Sequence, residues 1–316
     1  MAAAKGDLTA GAPGRKLLAF ALPILVINLL QAVYNVADMV ILGQVTGAPG
    51  MSAVGIGGQV TTVVLVVVTA IANGGAAIMG RYFGAGNRES IKRLLSTMLS
   101  FTLIVALVLT AAVIAACRPI LRFLNTPAES FDGAVAYLII CMCGTVVVYA
   151  YNAFYAVLRA IGESAAPMRI MLLTTAENIV LDLLFIGVFH WGVWSAAFAT
   201  TLAQTMSCVL CFVHLTKKGS VYSVSFRKIR FHGDMLRRIL RYGMPAGIQN
   251  SVIGLANVIV QTQINSFAKL AMAAYGSQSK IEGFAFMPIT SFSMAITTFI
   301  SQNLGAQKYD LSLIHI

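Results

Sequence analysis

Apolar stretches about twenty residues long recur along the whole chain, and that recurrence constrains the fold more than any motif does. Each is long enough to cross a hydrocarbon core of about 30 Å as a helix. Only 10% of the 316 residues are charged and 58% are apolar, with a mean hydropathy of +0.83. A soluble domain carries about 25% charged residues. The alternating apolar and polar pattern of a membrane β-barrel is absent, so the spans read as helices that satisfy their own backbone groups. The sequence therefore predicts an all-α integral membrane protein, a polytopic helical bundle. Eight spans are expected, near 17–42, 52–80, 94–117, 133–158, 168–189, 193–215, 240–266 and 271–301.

The placement of Lys and Arg orients these spans. Loops on one side carry Arg15, Lys16, Arg81, Arg88, Lys92, Arg93, Arg159, Arg169 and a dense run from Lys217 to Arg241, whereas the other side has only Arg118, Arg122 and Lys269. The amino terminus is thus expected in the cytoplasm, in a multi-pass protein of the cytoplasmic (plasma) membrane. The formal charge of +11 belongs to topology and gives no reason to expect a nucleic acid partner. The basic loop at 217–239 is also suited to anionic membrane lipids. Residues 1–16 form a short polar tail with no apolar core, so no cleaved signal peptide is indicated. The five cysteines lie in or at the ends of apolar segments and read as small packing residues, despite the CxxC spacing of Cys208 and Cys211.

An internal repeat organises the chain. Pro23, Asn28 and Asn35 recur as Pro245, Asn250 and Asn257 at an offset of 222, and Met51, Gly55, Gly84 and Ala85 recur as Met272, Gly276, Gly305 and Ala306 at 221. Six spans separate the copies, so both start on the same side and are related by an axis along the membrane normal. The expected units are an amino lobe of six helices at 17–216, the inter-lobe loop at 217–239, and the first two helices of a pseudo-twofold-related carboxy lobe at 240–310. The last six residues, 311–316 (LSLIHI), match a translated sequencing adaptor and are expected to be non-native.

Ionisable groups within spans are candidates for function. Asp38 lies late in span one, Glu177 and Asp182 in span five, and Glu282 in span eight. Gln31, Tyr34, Asn35 and Asp38 share one helical face, and Asn178 and Asp182 are one turn apart. Thr200 and Thr201 of span six add further oxygens. Two carboxylates with Asn, Tyr and Thr oxygens suit a bound Na⁺, held by Asp38, Asn178 and Asp182, or a shared proton. The alternative is that these groups, the acids included, simply hydrogen-bond helices together. Tyr149, Tyr151, Asn152 and Tyr155 of span four are candidates to line a cleft for cationic cargo, or to anchor at the interface. Asn257, Gln261 and Glu282 are further cavity candidates, Lys280 being a near partner for Glu282. Pro23 and Pro245 are expected to permit bends in spans one and seven.

The chain resembles the multidrug and toxic compound extrusion family of cation-coupled exporters. The resemblance runs from about residue 15 to 310 and rests on YNVADMVILGQ, GRYFGAGN, ENIVLDLLFIGVFHWGVWSAAFATTLAQ, YGMPAGIQN and SQNLGAQ. It implies twelve helices in two lobes that expel organic cations in exchange for Na⁺ or H⁺ by alternating access, with no other cofactor. The family's amino-lobe cation residues map onto Tyr34, Asp38, Asn178, Asp182 and Thr200. The position equivalent to Asp38 in the second copy is Val260, so an acid on span seven is missing. A monomer is expected when the chain is complete. A lipid-linked saccharide flippase is the nearest rival and calls for a cleft lined with arginines. An intramembrane enzyme or direct ATP use is not expected, because neither a second acidic cluster nor a GxxxxGK[ST] loop is present.

Overall fold

The computed structural model describes residues 6–217, 230–265 and 269–313. Every regular element among them is helical. The long first element, α1 (Pro13–Gly84), is two helices joined at Gly47, whose φ of 65° and ψ of −161° no helix tolerates. A residue without a Cβ takes that conformation cheaply. Pro49 then restarts the helix, where its missing N–H costs nothing. The halves are α1a (Pro13–Gly47) and α1b (Pro49–Gly84).

The elements that follow are α2 (Arg88–Ala115), α3 (Cys117–Phe123), α4 (Ala128–Ala160) and α5 (Ala165–Asp182). After them come α6 (Trp194–Lys217), α7 (Gly233–Asn265), α8 (Lys269–Gly305) and α9 (Tyr309–Leu313). The Asn87 side chain caps α2 by accepting from Ser90 N at 3.0 Å. Among the described residues, seven of the helices are long and apolar enough to cross a membrane. The stretch expected as span seven is the exception. α7 is 33 residues long, but Asp234, Arg237, Arg238, Gln249, Asn250, Asn257 and Gln263 dilute its hydropathy.

Two expected boundaries move. α7 begins at Gly233, inside the region read as inter-lobe loop, of which 218–229 lie outside the described residues. α9 continues to Leu313, and Leu311 packs against the cluster of Phe20, Ala21, Ile24, Ala295 and Phe299, so the segment set apart at 311 joins the fold for its first three residues.

Helices α1b, α2, α4 and α6 share the main apolar cluster, with Met79, Leu94, Met98, Val157, Leu158 and Cys211 almost fully buried. The two repeats meet through small residues. A Cβ on Gly74 would stand 2.6 Å from Gly243 N, closer than any side chain permits. A Cβ on Gly84 would collide with the Gln302 carbonyl, and one on Gly305 with the Arg81 carbonyl. The repeat offset carries Gly84 to Gly305 and Arg81 to Gln302, so these are one contact seen from each copy. That reciprocity is what a pseudo-twofold axis produces. Ala21 and Ala295, the repeat equivalents of Gly243 and Gly74, are likewise fully buried.

These contacts lie toward the end of the bundle that holds the amino terminus. There Leu8 N donates to Gln302 Oε1 at 3.0 Å and Gln302 Nε2 to Ala160 O at 2.9 Å. Toward the other end, Gln31 and Asn35 of α1a, residues 248–253 of α7 and residues 281–286 of α8 are exposed. Among the described residues, the repeats are joined at one end and bare at the other.

Candidate cation site in the amino lobe

The site forms where α1a, α5 and α6 face one another. On α5, Met171, Thr174, Thr175, Asn178 and Asp182 follow helical spacing down one face; on α6, Thr200, Ala203, Gln204 and Ser207 do the same. Tyr34, Thr175, Asn178, Thr200 and Gln204 are among the residues enclosing a cavity of about 10 Å³, room for roughly one water or one bare ion. The Tyr34 hydroxyl and Thr200 Oγ1 are 2.8 Å apart and share a hydrogen bond, tying α1a to α6. Ser207 Oγ donates to Thr174 Oγ1 at 2.9 Å and ties α6 to α5.

Asp182 is fully buried and Asn178 is 1% exposed. Asp38 is half-buried and lies within electrostatic reach of Asp182, as Tyr34 does of both acids. A turn of π-helix, Leu183–Val188, follows Asp182 directly; such insertions often mark functional positions.

Asp38 Oδ1, both carboxylate oxygens of Asp182, both side-chain atoms of Asn178, Thr175 Oγ1 and Gln204 Oε1 are buried with no hydrogen-bond partner. Buried polar groups are nearly always satisfied, and an ionised carboxylate without a donor is costly. Orphaned oxygens on these facing helices, two carboxylates among them, suit a hard cation or a proton. Among the described residues no group of three or more His, Cys, Asp and Glu side chains gathers as a transition metal would require. The five cysteines are free thiols.

The sequence matches the MatE family model over residues 23–184 and 245–312, the greater part of both repeats. The chain belongs to the MatE family. Among its curated relatives are the probable multidrug resistance protein YoeA of Bacillus subtilis, 27% identical over 94% of this chain and 65% of that protein, and the probable multidrug resistance protein NorM of Thermotoga maritima, 28% identical over 95% and 66%. The chain thus spans about two thirds of the length of these relatives. The crystal structure of a MATE protein in the bent conformation superposes with a TM-score of 0.90 at 23% identity, covering 98% of this chain and 69% of that one. The MatE fold is therefore shared across nearly the whole chain.

Tyr34, Asp38, Asn178, Asp182 and Thr200 come together within this MatE fold. Thr201 does not join them: its hydroxyl donates to Ala197 O at 2.8 Å. Gln31 and Asn35 are exposed on α1a. Tyr149 departs from its expected place on a cleft wall, because it is fully buried in a lobe core and donates to Val64 O at 3.0 Å. Asn152 Nδ2 turns back onto Val148 O at 2.8 Å. Tyr155 stacks on Tyr151 with ring centres 6.3 Å apart and lies under the Arg159 guanidinium. Asn257 is exposed, and so is Glu282, which accepts from Gln278 Nε2 at 3.0 Å. The side chains of Gln261 and Lys280 lie outside the described residues. The α1a backbone stays helical through Pro23, its break being at Gly47, and α7 runs through Pro245. Thr175 and Gln204 were not foreseen, although they continue the polar stripes of Asn178 and Thr200.

Proposed function

We propose that this chain is the coupling part of a secondary active transporter that exports organic cations, including drugs, in antiport with Na⁺ or H⁺. The observation that carries the reading is the set of unsatisfied buried oxygens on Asp38, Asp182, Asn178 and Thr175, inside a fold whose relatives are described as multidrug resistance proteins. A cation or a proton completes that set, and losing it leaves buried acids that the lobe must rearrange to satisfy. The Tyr34–Thr200 bond links α1a to the same pocket, so occupancy bears on the helix that meets the second repeat.

With the amino terminus in the cytoplasm, the joined end of the bundle is the cytoplasmic end and the bare end faces outward. Alternating access then consists of parting the Gly84–Gln302 and Arg81–Gly305 approaches while the outer halves close. The flippase alternative calls for arginines lining the central cleft. Arg81, Arg237, Arg238 and Arg241 line a hollow among the ends of α1b and α8 and the start of α7, whereas the unsatisfied carboxylates of the amino lobe favour a cationic cargo.

The test is efflux of a cationic dye from proteoliposomes under an imposed Na⁺ or pH gradient, with the chain alone and with the carboxy lobe extended to the length of its relatives. One of the two gradients is expected to drive efflux in the extended form. Unchanged efflux in Asp38→Asn and Asp182→Asn would sink the proposed site.

A further inference from the structure

Arg159, the one arginine of α4, lies in its last turn, a position from which such a side chain ordinarily snorkels to the nearer membrane face. Here it turns the other way. Its guanidinium lies over the Tyr155 ring, 5.6 Å from the centre, one turn back along α4 toward the membrane interior. Its Nη2 donates to Asn73 Oδ1 at 2.8 Å. Asn73 is seven residues before Gly80, the residue level with Ala160 and Ser301 at the joined end. At about 1.5 Å per residue, the guanidinium partner sits about 10 Å deeper than the helix end.

Arg159 is 6% exposed, and among the described residues no carboxylate lies within ion-pair distance of it. A buried charge with only neutral partners is costly. The side chain lines a cavity of about 210 Å³ whose other walls are Asn73, Ala76 and Ala77 of α1b and Ser293, Met294, Thr297 and Thr298 of α8. One wall belongs to each repeat. Thr297 and Thr298 at present donate to Ser293 O and Met294 O, and hydroxyls can rotate outward to donate to a guest.

We propose that this cavity is an anion site, which takes one small monovalent anion, a halide or a carboxylate group, on Arg159 with the hydroxyls of α8. An anion there supplies the missing counter-charge and bridges the two repeats, so its binding favours the joined arrangement of this end. The acids of the cation site lie on α1a and α5, so the two charges occupy separate places. The anion could be a free ion or the carboxylate of a zwitterionic cargo.

The test uses the purified chain in detergent at fixed Na⁺ concentration and ionic strength, with gluconate as the bulky reference anion. The unfolding temperature is followed during titration with bromide, with acetate, and with glycine betaine against tetramethylammonium. Saturable stabilisation by bromide or acetate is expected, weakened at least about tenfold in Arg159→Gln and about threefold in Thr297→Val. Arg241→Gln, on the exposed basic face, should respond as wild type. Stabilisation by betaine alone, lost in Arg159→Gln, assigns the carboxylate to a zwitterion rather than to a free ion. If Arg159→Gln does not fold, Thr297→Val and the anomalous signal of bromide in wild-type crystals decide. A wild-type chain indifferent to all these probes, an Arg159→Gln chain that responds normally, or bromide located elsewhere overturns the proposal.

Discussion

Span one and span seven occupy equivalent places in the two repeats, yet they carry different chemistry. Pro23, Asn28 and Asn35 are retained as Pro245, Asn250 and Asn257, whereas Tyr34 and Asp38 give way to Ala256 and Val260. The retained residues include those that shape the helix and its contacts; Asn28 Nδ2, for example, donates to Ser291 Oγ at 2.8 Å across the repeats. The residues that differ are those that reach Thr200 and Asp182 in the amino lobe. The scaffold of span one is matched in span seven, and the residues of the proposed cation site are not. The Gly84–Gln302 and Gly305–Arg81 approaches make the same point from the other side, since contacts that both copies need remain matched in both.

The largest effect should come from the residues that differ. Asp182→Asn or Asp38→Asn is expected to weaken Na⁺ or proton binding at least about tenfold, because a charge-assisted interaction is worth roughly 1.5–3 kcal/mol. Ion-dependent shifts in unfolding temperature check this. Val260→Asp should not create a second site, because Ala256 offers no hydroxyl beside it; a second ion-binding step in that variant would break the comparison.

The retained contacts come next. Gly84→Ala and Gly305→Ala each force a methyl group against a carbonyl of the opposite repeat, which should cost about 1–3 kcal/mol apiece. Thermal unfolding and cross-linking between α1b and α8 measure the loss. Equal losses support the pseudo-twofold relation, and a loss confined to one variant would contradict it. A smaller change is expected from Tyr34→Phe, which removes the 2.8 Å bond to Thr200. That is worth about 1 kcal/mol, a several-fold fall in ion affinity, with the fold left intact.

The span architecture was legible because a bilayer imposes length and polarity on every helix at once, and few sequences meet those demands by accident. Asp38, Asn178 and Asp182 were legible for the same reason, since carboxylates are rare where water is absent. Thr175 and Gln204 were harder to see. Hydroxyls in membrane helices commonly bond their own backbone, as Thr174 does to Ile170 O, and only the packed structure shows that Thr175 does not. Tyr149 reads from sequence like an aromatic at a membrane surface, and its bond to Val64 O depends on a helix eighty-five residues away. Arg159 was counted among the topology-setting cations because position along a helix says nothing of which way a long side chain bends. The start of α7 was obscured by the arginines of its first turns, which look like loop until their helix is seen.

The smallest expected effect concerns the amino-terminal segment, where the comparison reaches the membrane surface. Asp7 accepts from Thr9 N at 2.8 Å and Thr9 Oγ1 at 2.7 Å, and Lys308 Nζ donates to Thr9 O at 2.6 Å, so the segment before span one is pinned to the end of span eight. Partial burial opposes the Asp7 charge, but the Thr9 hydrogen bonds and the Lys16 and Lys308 charges outweigh it, leaving its pKa below the ordinary carboxylate value. A lowered folded-state pKa contributes stability above the unfolded pKa, and that contribution is lost as pH falls through the folded value. Hydrogen exchange at Leu8 and Thr9 should therefore show undiminished protection from neutral pH down to about pH 4 and a gradual loss below it, after correction for the intrinsic rate. Asp7→Asn should remove the pH dependence of that protection while leaving the Leu8–Gln302 bond formed. The equivalent stretch before span seven has no such acid: Arg230 docks through its backbone on Ser96, accepting from Ser96 Oγ at 2.8 Å. Its exchange should be indifferent to acid over the same range, and a matching acid transition at both segments would show that the pinning does not arise from Asp7.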